Sequence, residues 1–342
     1  MSLGLKTMAP LIEALNVGKR FLGGLGREST LALAGLSLAI DAARPAIIAV
    51  VGESGSGKTT LARLVLGLVE PTEGVVRYCG EDLRRLGRGR WRAFRRDVQA
   101  VFQDPYGVYN PFYRVDHVLA TPVRQFGLAT SRPEARELIE EALRAVGLRP
   151  EEILGRYPHQ LSGGQRQRVM VARALLPKPK LIIADEPVSM VDASLRATIL
   201  GSLRNLTDRH GISILYITHD LATAYQVADR ILVLYRARLV EAGAIDRVVT
   251  TPQHPYTQLL VSAIPRAHTT RDWLVQENEA PRNGVGVGSH GCPFADRCAH
   301  ATSLCAVAPP LYRTEMRRVV ACVQYRDHPT LAPRELGTWL SM

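Results

Sequence analysis

The chain has 342 residues, a formal net charge of +11 and 46% apolar residues, with few aromatics. That is ordinary globular composition, and the length accommodates two domains or one large domain with an appendage. The longest apolar runs fall far short of the roughly 18–20 residues that span a bilayer, and Met1-Ser2-Leu3-Gly4-Leu5-Lys6 opens no long apolar signal segment. The expectation is a cytosolic chain, or one held at a membrane only through partners.

The first elements read as short strands between about residues 10 and 50, broken by Gly23-Gly24-Leu25-Gly26. Leu31 to Ile40 and Ala46 to Val51 are the better candidates, and Phe21, just before the turn, reads as a core residue. The apolar run to Val51 leads into Gly52-Glu53-Ser54-Gly55-Ser56-Gly57-Lys58-Thr59-Thr60, and then into a helical Leu61 to Leu68. Strand, glycine loop and helix is the context that makes GxxxxGK[ST] a phosphate-binding loop rather than a turn without a ligand. Glycines let successive backbone N–H groups face one concavity, and the helix N-terminus adds partial positive charge. Lys58 supplies a full charge for the β- and γ-phosphates, and the Thr59 hydroxyl is placed to ligate Mg²⁺. The chain is therefore expected to bind a nucleoside triphosphate.

Pro71-Thr72-Glu73-Gly74 reads as a turn and Val75 to Tyr78 as a strand, with Cys79 taken as a small core residue. Leu83 to Arg96 is rich in arginine with Trp91 and Phe94 interleaved. Such a pattern invites a nucleic-acid reading. A solvated basic face, near phosphates and an anionic leaflet, is the preferred one. Val98 to Gln103 follows as a strand, ended by Asp104-Pro105 and Asn110-Pro111.

From about 112 to 176 the pattern is helical, with one apolar face along Glu134 to Leu148. Leu161-Ser162-Gly163-Gly164-Gln165 then precedes a helix over Val169 to Leu176, a second anion-binding helix start. One nucleotide already has its cradle, so a second such end suggests a composite site completed by another copy of the fold, and hence dimerisation on ATP binding.

Leu181 to Pro187 is an apolar strand ending in Asp185 and Glu186. Asp185 is suited to hold Mg²⁺ and Glu186 to polarise an attacking water as general base; a helix cap or turn is the alternative. A helix over Ala193 to His210, a buried strand Ile212 to Ile217 ending at His219, a helix over Ala222 to Val227 and strands at Arg230 to Tyr235 and Arg238 to Val240 complete an alternating pattern. It implies a parallel sheet covered on both faces, with chemistry at the carboxyl ends of its strands. His219 there can contact the γ-phosphate, and Gln103 can ligate Mg²⁺ or the water.

After Pro265 the chain turns polar, and residues 266–291 read as a linker to a tail that holds four of the five cysteines. Cys292, Cys298, Cys305 and Cys322 are separated by five, six and sixteen residues, which is no CxxC zinc pair. In a cytosolic protein such a cluster suggests metal rather than disulfides, and four thiolates suit zinc or an iron–sulfur cluster.

At these residues the sequence resembles the ATP-binding subunits of ABC transporters. It carries their Walker A loop (Gly52 to Thr60), Q-loop (Gln103), LSGGQ signature (Leu161 to Gln165), Walker B strand with its glutamate (Leu181 to Glu186) and H-loop (His219), in that family's order. Val101-Phe102-Gln103-Asp104-Pro105-Tyr106-Gly107, Tyr157-Pro158-His159-Gln160 before the signature, His254-Pro255-Tyr256-Thr257 and Gly291-Cys292-Pro293-Phe294 to Cys298 resemble the oligopeptide/dipeptide importer branch.

The resemblance implies an α/β P-loop NTPase, residues 1–265, with a parallel sheet core, an antiparallel β subdomain and an inserted helical subdomain at about 104–176. A small cysteine-rich extension, 266–342, follows. It implies that Phe21 stacks on adenine, that Ser162, Gly163, Gly164, Gln165 and Asp192 meet a partner's ATP, and that the tail cysteines carry a [4Fe–4S] cluster. The implied partners are a second ATPase subunit, in a heterodimer, two permease subunits and, indirectly, a solute-binding protein, at the cytoplasmic face of the inner membrane. No nucleic acid is expected. The D-loop departs from Ser-Ala-Leu-Asp, reading Ser189-Met190-Val191-Asp192. A soluble ABC ATPase acting on nucleic acid, and a non-catalytic heterodimer partner, are the rival readings.

Overall fold

The computed structural model describes residues 9–22, 29–103, 109–189, 191, 193–264 and 291–341. The chain divides into two compact units, one of Met1–Asp41, Ile48–Arg84 and Thr218–Met342, the other of Ala42–Ile47 and Arg85–Ile217.

The first unit holds an antiparallel sheet in the order β2-β1-β4-β5, from β1 (Ile12–Phe21), β2 (Thr30–Ile40), β4 (Glu73–Tyr78) and β5 (Glu81–Asp82). Its other strands are β3 (Ile47–Val51), β9 (Arg230–Tyr235), β10 (Arg238–Ala244), β11 (Leu311–Glu315), β12 (Arg318–Val320) and β13 (Thr330–Leu331). They lie in the order β13-β11-β12-β10-β9-β3. β3 and β9 are parallel and the remaining pairs antiparallel. Every residue of β3 is buried, as a parallel strand covered on both faces requires. Helices α1 (Lys58–Val65), α8 (Leu221–Val227), α9 (Ile245–Thr250), α10 (Pro255–Ser262) and α11 (Leu336–Ser341) complete this unit. The tail is stitched in through β12, whose Val320 and Val319 pair with Glu241 and Ala242 of β10.

The second unit holds parallel β6 (Val98–Val101), β7 (Leu181–Asp185) and β8 (Ser213–Thr218), in the order β8-β7-β6. β7 and β8 are buried throughout. Around them run α2 (Arg88–Asp97), α3 (Val115–Phe126), α4 (Arg132–Ala145), α5 (Pro150–Ile153), α6 (Gly163–Leu175) and α7 (Ala193–His210). Ser131 caps α4 by accepting the Glu134 N–H at 3.3 Å, and its apolar stripe buries Ile139, Ala142 and Leu143.

The alternation of parallel strands and helices, the antiparallel sheet and the helical stretch expected from the sequence are all present. Three expectations change. Cys79 is exposed in a turn beyond β4 with φ +48°, because the chain reverses there instead of continuing the strand. Phe21 ends β1 at 40% exposure with Lys19 Nζ 5.3 Å from its ring centre, so it is not a core residue. The signature helix begins at Gly163, six residues before the apolar run that marked it. The Gly23 to Gly26 turn, Asp104-Pro105 and the linker lie outside the described residues.

Candidate functional site

The phosphate loop follows β3 in the first unit. Its geometry depends on glycine at two places. Gly52 has φ 153°, and a Cβ there would overlap the Leu234 carbonyl; Gly57 has φ 104°, and a Cβ would meet the Ala32 carbonyl oxygen at 2.5 Å. Gly57 also caps α1, so the helix opens directly on Lys58, Thr59 and Thr60. Lys58 is buried, and its Nζ donates to the carbonyls of Gly52 at 2.7 Å and Glu53 at 2.9 Å. The ammonium thus lies inside the loop, screened little from whatever enters it. Thr59, Ser54 and Gly55 are exposed, and the Ser56 hydroxyl, 2% exposed, has no hydrogen-bond partner among the described residues. Loop amides, an enclosed ammonium and an unsatisfied hydroxyl fit a phosphate chain. His219, exposed, follows Thr218, whose hydroxyl accepts the Asp220 N–H at 3.0 Å; Asp220 in turn caps α8.

In the second unit, Asp185 ends β7 at 7% exposure and pairs in register with Ile217. Glu186 leaves the strand with φ +51°, its N–H donating to the Ile217 carbonyl at 2.9 Å. A left-handed backbone is uncommon for glutamate and is a form of strain that clusters at functional sites. Ser189 closes the turn, its N–H and hydroxyl both donating to the Glu186 carbonyl, at 3.2 and 3.0 Å. Ser162 and Gln165 form a reciprocal capping box: Gln165 N–H donates to Ser162 Oγ at 3.2 Å, and Ser162 N–H to Gln165 Oε1 at 3.0 Å. The box consumes two amides and leaves those of Gly163 and Gly164, in a first turn without acidic residues, with no intrahelical acceptor. Gln103 is exposed just beyond β6; Met190 and Asp192 lie outside the described residues.

Sequence reasoning missed Tyr109, whose hydroxyl donates to the Arg166 carbonyl of α6 at 2.9 Å and so ties the stretch beyond Gln103 to the signature helix. Burial, foremost, raises its pKa. The basic segment forms a 3₁₀ turn, Leu83–Arg85, and then α2, and several of its arginines are engaged within the chain. Arg84 pairs with Asp82 at 2.7 Å, Arg92 donates to the Gln125 carbonyl, Arg96 to the Pro177 carbonyl, and Arg95 lies over Trp91. That suits a solvated face.

Cys292, Cys298, Cys305 and Cys322 converge on one cavity of about 10 Å³, with His254 and Phe294 on its wall. Burial raises the thiols of Cys292 and Cys298, and pushes Cys322 up to about 11. The donor chemistry suits a soft metal. The packing does not: the cavity holds about one small ion or water, and among the described residues no group of three His, Cys, Asp or Glu is arranged to hold a metal. This packing, with room for about one water, gives no support to the expected [4Fe–4S] cluster or to zinc.

The ABC transporter family profile matches residues 33–189, and that of the oligopeptide/dipeptide transporter C-terminal region matches residues 240–305. The chain is 41% identical over 283 residues to the oligopeptide transport ATP-binding protein OppF of Escherichia coli K12, covering 81% of this chain and 83% of that protein. It is 40% identical over 299 residues to the di/tripeptide transport ATP-binding protein DppF of Pseudomonas aeruginosa UCBPP-PA14, covering 87% and 91%. Among solved structures, a dimeric post-hydrolysis state of the ATP-binding cassette MJ0796 bound to ADP and Pi matches with a TM-score of 0.61 and 29% identity, over 68% of this chain and 98% of that one.

Proposed function

Because the chain belongs to the ATP-binding subunits of ABC transporters, in their oligopeptide/dipeptide branch, we propose that it hydrolyses ATP to energise the import of peptides or a related solute. The observation that carries the ATP site is the Gly52 to Thr60 loop with the Lys58 ammonium buried inside it. Lys58 and the loop amides bind the phosphates, Thr59, Asp185 and Gln103 would hold Mg²⁺, and Phe21, exposed at the end of β1, stacks on adenine. Bound Mg²⁺ would neutralise charge developing on the phosphate oxygens. Glu186 takes the proton of the attacking water, and His219 orients it. Ser162 to Gln165 and Asp192 face the nucleotide of a second cassette, in a heterodimer.

Two permease subunits and, through them, a solute-binding protein complete the assembly at the cytoplasmic face of the membrane. No described helix is long and apolar enough to cross a bilayer. Phe112 and Tyr113, 86% and 51% exposed in the stretch after Gln103, supply an apolar surface for the permease. The division into an ATPase domain, 1–265, and an extension, 266–342, belongs to the same proposal. The Glu186→Gln variant tests the assignment of the base: it retains MgATP binding while turnover falls by about 100-fold or more, and normal turnover rejects it.

The [4Fe–4S] reading of the tail rests on the family resemblance, the packing of its four cysteines giving it no support. Iron and sulfide in anaerobically purified protein, lost on Cys→Ser substitution of the four, sustain it. Protein free of both ends it, and zinc in their place selects the alternative.

A further inference from the structure

Glu53, second residue of the phosphate loop, is held on three sides. Its carbonyl accepts from Lys58 Nζ at 2.9 Å, its N–H donates to the Tyr256 hydroxyl at 2.9 Å, and its carboxylate accepts from Arg297 Nη1 at 2.9 and 3.1 Å. The last two partners come from far along the chain. Tyr256 is the second residue of α10 and is fully buried. Arg297 closes the short 3₁₀ turn Ala295–Arg297, immediately before Cys298.

That turn is seated firmly. Phe294 beside it is 3% exposed and packs on Tyr235 and Tyr256, ring centres 5.3 and 5.5 Å away; Tyr235 and Tyr256 are themselves 4.4 Å apart. Arg297 also donates to the Tyr235 hydroxyl at 3.3 Å and lies over the rings of Tyr235 and Phe294. Asp296 pairs with Arg236 at 2.9 Å. A loop whose glycines make it pliable is therefore gripped by aromatic and charged groups anchored elsewhere.

We infer that Tyr256 and Arg297 are positioning residues for nucleotide binding, fixing the phosphate loop through Glu53, so that the cysteine-bearing tail acts on the ATP site. The inference rests on reading Gly52 to Thr60 as that site. Tyr256 pins the Glu53 backbone through its N–H, and Arg297 pairs with the Glu53 carboxylate. The Tyr256 contact fixes the backbone that presents the remaining loop amides, and the Arg297 pair offsets the carboxylate charge that would repel an anion there.

The test uses the full chain. MgATP affinity by titration, KM and kcat of basal hydrolysis, and the nucleotide-free Tm are measured for the parent, Tyr256→Phe, Arg297→Gln, Arg297→Lys, Glu53→Gln and the Glu53→Gln/Arg297→Gln pair. Tyr256→Phe is expected to weaken ATP binding about fivefold, and Arg297→Gln about threefold, in KM rather than kcat. Arg297→Lys should recover part of that loss. The double variant should be no weaker than Arg297→Gln alone, because both changes break one contact. Unchanged affinity in Tyr256→Phe and Arg297→Gln, losses that multiply in the double variant, or a fall in Tm without any change in affinity each overturns the inference. A parent chain that binds no MgATP overturns the reading of the loop itself instead.

Discussion

Glu186 and His254 show two ways in which one residue is set by its surroundings. Glu186 adopts its left-handed backbone, at a cost of about 1–3 kcal/mol, held by the Ile217 carbonyl and by Ser189. A glutamate kept in that conformation at the end of a buried strand is consistent with the general base proposed for it. His254 is 1% exposed, its Nδ1 accepts the Tyr256 N–H at 3.0 Å, and burial, foremost, pushes its imidazole down to about 4. The unfolded chain titrates this group near 6.5. Between these values the unfolded state binds the proton that the folded state refuses, so the contribution is complete above about pH 6.5 and is lost as pH falls towards 4. It amounts to about 3 kcal/mol across that window. Thermal unfolding followed from pH 7 to pH 4.5 should show a falling midpoint in the parent and a shallower fall in His254→Gln; equal slopes would exclude His254 as the source.

Among the elements, β10 and β12 are joined by more than their ladder. Arg318 and Glu241, 1% and 0% exposed, pair at 2.8 Å. Arg318 also donates to the Thr251 hydroxyl at 3.1 Å and to the Thr251 carbonyl. The Glu241 carboxylate accepts the N–H groups of His254 at 2.9 Å and Gln253 at 3.2 and 3.3 Å. The pair thereby fixes the start of the His254-Pro255-Tyr256-Thr257 segment, whose tyrosine reaches the phosphate loop. Removing one partner leaves a buried charge uncompensated. Arg318→Leu is expected to destabilise the chain by about 3–5 kcal/mol in urea titrations. Glu241→Gln/Arg318→Leu keeps an acceptor for both N–H groups and should recover much of that loss. A double variant no more stable than the single one would place the cost in packing rather than charge.

At the scale of the whole molecule, the residues proposed to bind and hydrolyse ATP are divided between two units. Lys58 and His219 belong to the first, and Ser162, Asp185 and Glu186 to the second. The Gly52 to Thr60 loop already offers one phosphate cradle, so the second anion-binding helix end at Ser162 leads to the expectation of a second cassette. With MgATP, Glu186→Gln should double in mass by light scattering, alone or on adding a second cassette subunit, and should return to the monomer when nucleotide is removed. Dimerisation of the chain alone favours a homodimer, dimerisation only with the second subunit a heterodimer, and no dimer in either case rejects the composite site.

The glycine loop between β3 and α1, the helix start at Ser162 and the strand ends at Asp185 and Thr218 were legible from the amino-acid sequence as local structure, and their proposed roles follow from it. Each is a short contiguous run whose chemistry lies in local backbone, and the alternation of buried strands with helices follows from hydrophobic pattern alone. Only tertiary structure decided the rest. Cys79 and Phe21 have core-like side chains, yet a chain reversal and a strand end leave them exposed. The four tail cysteines were expected as metal ligands, whereas their packing leaves room for about one water. The grip on Glu53 comes from residues 203 and 244 positions away. No local pattern announces such contacts, because a tyrosine hydroxyl or an arginine acquires its partner only when the strands and the tail have packed.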